Sequence, residues 1–532
     1  MISKENFFKY LIIAIFALAL LLRLFKLGEI PDGFHNDEVD VGYVGKFLVL
    51  HLRDPVGNFL PLAFDKFGDY RPTGLFYLTG ISEVIFGTNV FAARLSIAFF
   101  GALTVFPLYF LAFYIFKNRR IAAVSAFFLA VLPWHLNLAR AGQEAVVGYF
   151  FVISALALLI KYKDQRRRNY LILAAFCFVV SYLFYHSTRI LVPALFLGFL
   201  LVWREKIVFQ ILIFLTVVSA LILISPVGRG RLSQVVFYKN PNLVSKLMEL
   251  PYADKSTISA RIFHNKAMVY SRDLAGNYLQ YFSADFLFLR GGYPERYVVP
   301  ETGLIFIVFA PLLILAVVNL LKTSSMFMPV IFWLLVSPFA AVFTYEDIPS
   351  VTRASFMIFP LVLVCAWGFE VILNFKKSAV KNVIIAAFFV LLATEFIYFG
   401  HQYFVHQKGY RGFFRDQGTR EIVTYMLNHQ NEYDLVLAQY GPNFPFYYLF
   451  YGDIFDKNIK FDIANLSENF QYKNVLFTRD GCPSHRADQF VGKKVLYIDM
   501  ADCEIKPQTQ VLLFVMRRDS TVAYRAAVRD LQ

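Results

Sequence analysis

Long apolar runs, each close to the thickness of a bilayer core, alternate along this chain with short polar turns rich in lysine and arginine. A hydrocarbon core of about 30 Å calls for roughly 20 apolar residues in a helix. Eleven stretches meet or approach that length: 8–27, 92–116, 120–134, 146–160, 170–185, 190–203, 207–225, 302–321, 326–344, 354–374 and 381–400. The pattern predicts a polytopic α-helical membrane protein with about eleven transmembrane helices. Beyond residue 400 the apolar runs shorten and turns separate them. Residues 434–438, 474–478, 494–499 and 511–516 read as buried strands, and 418–429 has helical spacing. A membrane domain over 1–400 is therefore expected to precede a small α/β domain over 401–532.

Composition agrees, since 58% of the residues are hydrophobic and only 17% charged, which excludes an ordinary soluble domain. The net charge of +14 is explained by orientation, because cationic residues are retained on the cytoplasmic side. With the N-terminus inside, the inner loops hold Lys4, Lys9, Lys117, Arg119, Arg120, Lys161, Lys163, Arg166, Arg167, Arg168, Arg204, Lys206, Lys322, Lys376, Lys377 and Lys381. The short outer loops hold only Arg140, Arg189 and Arg353. Arg23 and Lys26 point mildly the other way, although long cationic side chains snorkel to the interface. An odd number of spans then puts the C-terminal domain outside the cytoplasm.

The cations face membrane lipids. No zinc-finger spacing or basic helix with interleaved aromatics argues for nucleic acid as a partner. Ala17-Leu18-Ala19 lies inside the first apolar run rather than after it, so an uncleaved anchor is expected. The long external loops are 28–91 and 226–301. Within the first, Leu75 to Phe86 is too short to span and carries Thr79, Ser82 and Glu83, which fits a helix lying in the interface plane. Glu370 and Glu395 fall near span ends and read as interfacial. Cys482 and Cys503 share the tail, where a disulfide and two free buried thiols are equally compatible with the sequence.

Chemistry concentrates in the first external loop, in the run His35-Asn36-Asp37-Glu38-Val39-Asp40. Carboxylates gathered at the mouth of a membrane bundle mark pathways or reaction sites. The competing role for Asp37 is the N-cap of a helix running from Val39 towards Leu50, for which Asn36 also qualifies. His35 beside these acids is a candidate ligand for a divalent metal, although a lone histidine is more often a surface residue.

Further motifs recur in order on the outer side: Gly42-Tyr43, Tyr70-Arg71-Pro72, Phe86-Gly87, Ala93-Arg94-Leu95, Pro133-Trp134-His135 with Ala139-Arg140 and Glu144, Tyr185-His186 with Arg189, Phe282 to Gly291, and Pro349 with Arg353. Together with Asp37-Glu38 they resemble the blocks of the GT-C superfamily of membrane glycosyltransferases. More narrowly, the chain is similar to bacterial relatives of the protein O-mannosyltransferases and of the lipid A aminoarabinose transferases. Arg71-Pro72 departs from the lysine and two prolines of many relatives.

The resemblance implies a GT-C-like fold in a bacterial cell membrane. It also implies an enzyme that moves a hexose or pentose from a polyprenyl-phosphate carrier to an acceptor hydroxyl, with inversion. The acceptor, whether protein, lipid or glycan, is left open. Such a reaction needs a carboxylate to take the acceptor's proton and cations to stabilise the departing phosphate. On this reading Asp37 is the general base and Glu38 orients the acceptor or tunes its neighbour. Arg71, Arg140, Arg189 and Arg353 bind the donor phosphate, while Glu144, Tyr185, His186, Asp285 and Arg290 shape the sugar or acceptor pocket. The rival function is a transporter or flippase of lipid-linked sugars, which would show repeated halves and polar groups near the midplane. A ligand-sensing tail is a third reading, but it leaves the first-loop acids idle.

Overall fold

The structure is a computed structural model and describes residues 4–66, 69–202, 206–225, 228, 236–254, 257–320, 328–439, 443–459 and 469–529. In chain order its first helices are α1 (Lys4–Leu24), α2 (Asn36–His51), α3 (Gly74–Phe86), α4 (Val90–Leu103), α5 (Val105–Phe116), α6 (Arg119–Val131), α7 (Pro133–Arg140) and α8 (Ala145–Gln165). Two compact units emerge. The first takes its described residues from 1–25, 68–72 and 97–402, and the second from 26–67, 73–96 and 403–532. The second unit thus combines most of the first long loop with the tail.

Every stretch expected to span meets an apolar helix. Glu5–Leu24, Val90–Phe116, Ala145–Gln165, Ser355–Leu373 and Ser378–His406 are long and apolar enough to cross a membrane. The helices α6 and α7 form a pair bent by 52°. Shorter apolar helices, Arg168–Ser181, Thr188–Gly198, Phe209–Ile224, Ile307–Asn319 and Met328–Val342, occupy the remaining expected positions. Such lengths and composition make this an integral membrane protein.

In the first unit, the bend after α6 has a local cause. Pro133 has no N–H to give the carbonyl four residues back, Leu129. The next donor, the Trp134 amide, turns away to the Leu304 carbonyl at 2.9 Å. Two helix carbonyls are left open, and Arg23 of α1 fills them. Its guanidinium donates to Ala130 O at 3.1 Å and Leu129 O at 3.3 Å, and it also meets His135 Nδ1 at 2.8 Å. Arg23 is fully buried. It therefore does not snorkel as the sequence suggested; a nearby set of unsatisfied acceptors offers the charge a better place than the interface. Glu370, three residues from the end of its helix, is buried and accepts from Arg120 at 2.6 Å and Asn118 at 3.0 Å.

In the second unit, α2 and α3 lie almost backbone to backbone. A Cβ on Gly80 would sit 2.1 Å from the Gly45 carbonyl oxygen, and one on Gly45 would sit 2.4 Å from that of Phe76, so only glycine permits the approach. The polar and small side of α3, with Thr79, Gly80, Ser82 and Glu83, is buried, while Ile81, Val84, Ile85 and Phe86 are exposed. Polar inside and apolar outside suits a helix in contact with lipid.

The short strands β1 (Ala63–Lys66) and β2 (Asp69–Pro72) belong to the second and first units respectively. The tail forms a six-stranded sheet from β3 (Leu435–Gln439), β4 (Asn469–Tyr472), β5 (Val475–Thr478), β6 (Val495–Met500), β7 (Thr509–Met516) and β8 (Val522–Arg529). Its order is β4-β5-β3-β6-β8-β7, with β3 parallel to both β5 and β6 and the other pairs antiparallel. Leu435, Leu437, Val495, Tyr497 and Ala487 form a core on one side.

All four expected strands exist, as does the helix Thr419–His429. One was misjudged: β7 is an edge strand with Leu512, Phe514 and Met516 exposed, because alternate residues there face away from the core. The structure adds β4, β8 and the aromatic helix Phe444–Tyr451. It also settles the cysteines, joining Cys482 to Cys503 with Cα atoms 5.6 Å apart.

Two stability predictions arise. Arg23→Leu strands two carbonyls and a ring nitrogen, and we expect a loss of about 2 to 4 kcal/mol, with Arg23→Lys recovering only part for want of the planar fork. Unfolding of the purified protein in detergent checks this; a wild-type melting temperature for the leucine variant would rule the account out. Replacing Cys482 and Cys503 by serine should cost the tail about 3 kcal/mol through lost loop closure, readable as a lower unfolding midpoint of the tail followed by hydrogen exchange.

Candidate active site

The acidic run sits at the start of α2, and the cap of that helix explains its geometry. His35 is the N-cap: its Nδ1 accepts the Asp37 amide at 3.1 Å, and the Glu38 carboxylate accepts the His35 amide at 3.0 Å. Neither Asn36 nor Asp37 is the cap, because the imidazole and the first-turn Glu38, at the third helical position, close a reciprocal box around the first free amides. Successive helical side chains point about 100° apart, and the three acids meet different surroundings.

Glu38 turns inward. Its carboxylate accepts from Arg94 Nε at 2.6 Å and Nη2 at 3.1 Å, and from Arg415 Nη2 at 3.2 Å. Asp40 is wholly buried and paired with Lys66. Asp37 shares that lysine, with Nζ 3.1 Å from Oδ1, and lies 3.5 Å from His35 Nδ1. The side-chain exposures are 4% for Glu38, 0% for Asp40 and 31% for Asp37. Asp37 alone of the three is open to an incoming group. Nearby, Glu83 is buried, and among the described residues neither of its carboxyl oxygens has a hydrogen-bond partner. Burial pushes its carboxyl well above the usual range, opposed by Lys46, and the group sits against Gly42.

The remaining sequence-predicted residues belong to the first unit. Arg71 faces Glu144, with Nη2 3.5 Å from Oε1. Arg140, at the end of α7, is buried and donates to the carbonyls of Leu22 at 2.8 Å and Arg23 at 3.0 Å. Arg189 donates to Tyr182 O at 3.0 Å and meets His186 Nδ1 at 3.1 Å. Tyr185 packs edge-on against Tyr149, with centroids 5.7 Å apart. Arg353 pairs with Glu346 at 3.1 Å and donates to Thr344 Oγ1 at 3.1 Å. Asp285 and Arg290 form an exposed pair at 3.5 Å. Next to Arg353, the Tyr281 hydroxyl accepts the Ser350 amide at 2.9 Å, and burial pushes the phenol up to about 12.

The structure therefore brings together Asp37 with His35, Arg71 with Glu144, and Arg189 with His186. Sequence reasoning missed Lys66, Asp40 and Arg415, though Asp40 is three residues from Asp37, the helical spacing that shares a face. Among the described residues, no three His, Cys, Asp or Glu side chains gather as a metal centre requires.

A bundle of apolar helices, a long loop whose first helix opens on acids, and a six-stranded sheet after the last apolar helix together describe a polytopic membrane protein with a small α/β tail. Comparison with known proteins agrees. Residues 70–228 match the family described as dolichyl-phosphate-mannose-protein mannosyltransferase. The fold is similar to the crystal structure of ArnT from Cupriavidus metallidurans in the apo state, with a TM-score of 0.57 at 12% identity over 98% of each chain. The same enzyme bound to undecaprenyl phosphate gives 0.55 at 14% identity over 97% of each. No curated protein sequence matches the chain. The chain thus has the GT-C fold that its loop motifs resemble.

Lys66 offers a direct test of the acid cluster. Lys66→Met leaves the buried Asp40 carboxylate without its ammonium, and we expect a cost of about 3 kcal/mol. Adding Asp40→Asn should restore much of it. Thermal unfolding of the single and double variants measures both; additive losses would show that the pair is not coupled.

Proposed function

We propose that this chain transfers a sugar, hexose or pentose, from a polyprenyl-phosphate carrier to an acceptor hydroxyl on a protein, lipid or glycan, with inversion at the anomeric carbon. The observation that carries the reading is the accessibility of Asp37 beside two acids that are locked away. A general base must reach the hydroxyl whose proton it takes, and a buried carboxylate clamped by two guanidinium groups does not. Asp37 is then the base, and Glu38 shapes the loop that presents it. One displacement with one base inverts the carbon.

The donor reading is supported by the undecaprenyl phosphate bound to the structurally similar ArnT. Its phosphate calls for cations. Arg71 and Arg353 each lie beside a carboxylate, Glu144 and Glu346, which a phosphate would replace as partner. Arg140 and Arg189 already donate to main-chain carbonyls, a use that positions helix ends around a donor site. Glu144, Tyr185, His186, Asp285 and Arg290 complete the proposed pocket for sugar or acceptor.

We place the reaction on the outer face of a bacterial cell membrane, with residues 1–400 as the catalytic membrane domain and 401–532 outside. The lysine and arginine bias supports the cytoplasmic N-terminus. The Cys482–Cys503 disulfide supports an oxidising compartment for the tail.

Asp37→Asn keeps the shape and removes the base. In membranes of the source cell, sugar transfer followed as undecaprenyl phosphate set free should fall about 100-fold or more, while the purified variant still binds added undecaprenyl phosphate. Unchanged transfer would remove Asp37 from the chemistry. Mass spectrometry of the lipid that copurifies identifies the sugar, and a sugar-bearing lipid carried intact across vesicles would favour a flippase instead.

A further inference from the structure

The segment that carries the acid pair is held from two sides within its own unit: Arg94 donates to the carbonyls of Leu27, Pro31 and Gly33 and to Glu38, and a second set of side chains comes from the tail. Arg415 lies in a tight turn, Gly412–Arg415, soon after the last apolar helix. It is buried, and it donates to the Asp32 carbonyl through Nε at 3.0 Å and to Glu38 through Nη2 at 3.2 Å. The neighbouring Asp416 carboxylate accepts the Asn36 amide at 2.8 Å. The Tyr447 hydroxyl lies 2.5 Å from the Phe34 carbonyl and 3.0 Å from Asp416. Asn443 donates to the Asn36 carbonyl at 3.2 Å, and Arg518 pairs with Asp32 at 3.1 Å. The backbones are so close that a Cβ on Gly33, which has φ +85°, would sit 2.3 Å from the Arg415 carbonyl oxygen.

Polar groups of Asp32, Phe34, Asn36 and Glu38 thus end on the tail, while Asp37 between them points to Lys66. A tail that served only to recognise an acceptor would have no need to bond the main chain of this loop. The latch uses two kinds of grip. Asp416, Tyr447 and Asn443 fix the path of the backbone, and Arg415 links that backbone at Asp32 to the side chain of Glu38. Because the Glu38 carboxylate also completes the cap on α2, displacing it frees the first turn of the helix on which Asp37 stands.

We propose that Arg415 is a positioning residue for sugar transfer: it holds the first-loop acids in their working geometry from the tail, so the tail is part of the catalytic apparatus rather than a separate appendage. The inference rests on the glycosyltransferase reading for its consequence, but not for the latch itself.

The test uses the full chain and three variants, Arg415→Gln, Arg415→Lys and Gln489→Ala, the last on a surface turn of the tail remote in sequence from the latch. Hydrogen exchange read by mass spectrometry reports the latch. Amides of residues 35–41 should exchange about tenfold faster in the glutamine variant, with strands β3 and β6 unchanged. Transfer in source-cell membranes should fall about tenfold or more in maximal rate, with the half-saturating level of added donor lipid within about twofold. Arg415→Lys should recover part of both, since an ammonium reaches one partner but not two at once, and Gln489→Ala should match wild type.

Unchanged exchange in 35–41 would overturn the latch. Faster exchange with undiminished transfer would overturn the positioning role. If the glutamine variant loses protection in β3 and β6, the lysine variant decides: faster exchange confined to 35–41 with slower transfer supports the proposal, and wild-type behaviour in both overturns it. Absence of transfer by the wild-type chain would defeat the functional reading while leaving the exchange result to judge the latch.

Discussion

A charge taken out of water must be met by another charge or by aligned dipoles, and this requirement arranges the acid-bearing unit. Glu38 is a carboxylate with almost no solvent contact. An unpaired ion there would cost several kcal/mol, so the chain supplies two guanidinium groups, from Arg94 and Arg415, and a helix amide from His35. These come from three distant parts of the sequence. The first loop, the opening of the next apolar helix and the segment after the last one are obliged to converge on a single side chain. Glu38 is thus less a reagent than the point on which the loop is assembled.

The same physics operates on main-chain groups in the membrane bundle. A helix interrupted by proline frees carbonyls that lipid cannot satisfy, and Arg23 is spent on two of them while Arg140 returns to the end of α1. Arg23 would pass for a headgroup anchor if only its place beside a span were known, yet its partners give it another use, as the donor that lets a helix break. The break sets α7 at 52° to α6 and leaves Arg140 at the end of α7.

What the sequence disclosed and what it hid follow from range. Apolar runs and alternation are local, so the spanning helices and four tail strands could be read directly, and the ordered loop motifs pointed to the fold. β8 escaped because Arg525 and Arg529 interrupt its apolar pattern, although Arg525 is buried in the sheet. The helix Phe444–Tyr451 escaped because an unbroken aromatic run has no helical period; only Pro445 near its start signalled it. Within the site, Asp37 and Glu38 were legible as a pair, yet their inequality was not. It depends on Lys66, 29 residues away, and Arg415, 377 residues away, and no local pattern announces a partner at such separations. The capping role of His35 was hidden for a different reason, since histidine is an uncommon cap and the stronger formers Asn36 and Asp37 stood beside it.

The low identity to a solved enzyme of the same fold has a physical reading as well. In the helix Ser378–His406 only 17% of its most apolar window is buried, so lipid, which distinguishes poorly among Leu, Ile, Val and Phe, is its main neighbour. The windows of Ala145–Gln165 and Ser355–Leu373, by contrast, are 67% and 83% buried against the protein itself. Buried ion pairs and glycines at backbone contacts are more constrained: a side chain on Gly80 collides with Gly45, and altering Arg415 removes one of the two guanidinium groups that meet Glu38. Polar and small residues at loop and helix ends therefore add specificity to a fold whose bulk is an apolar core.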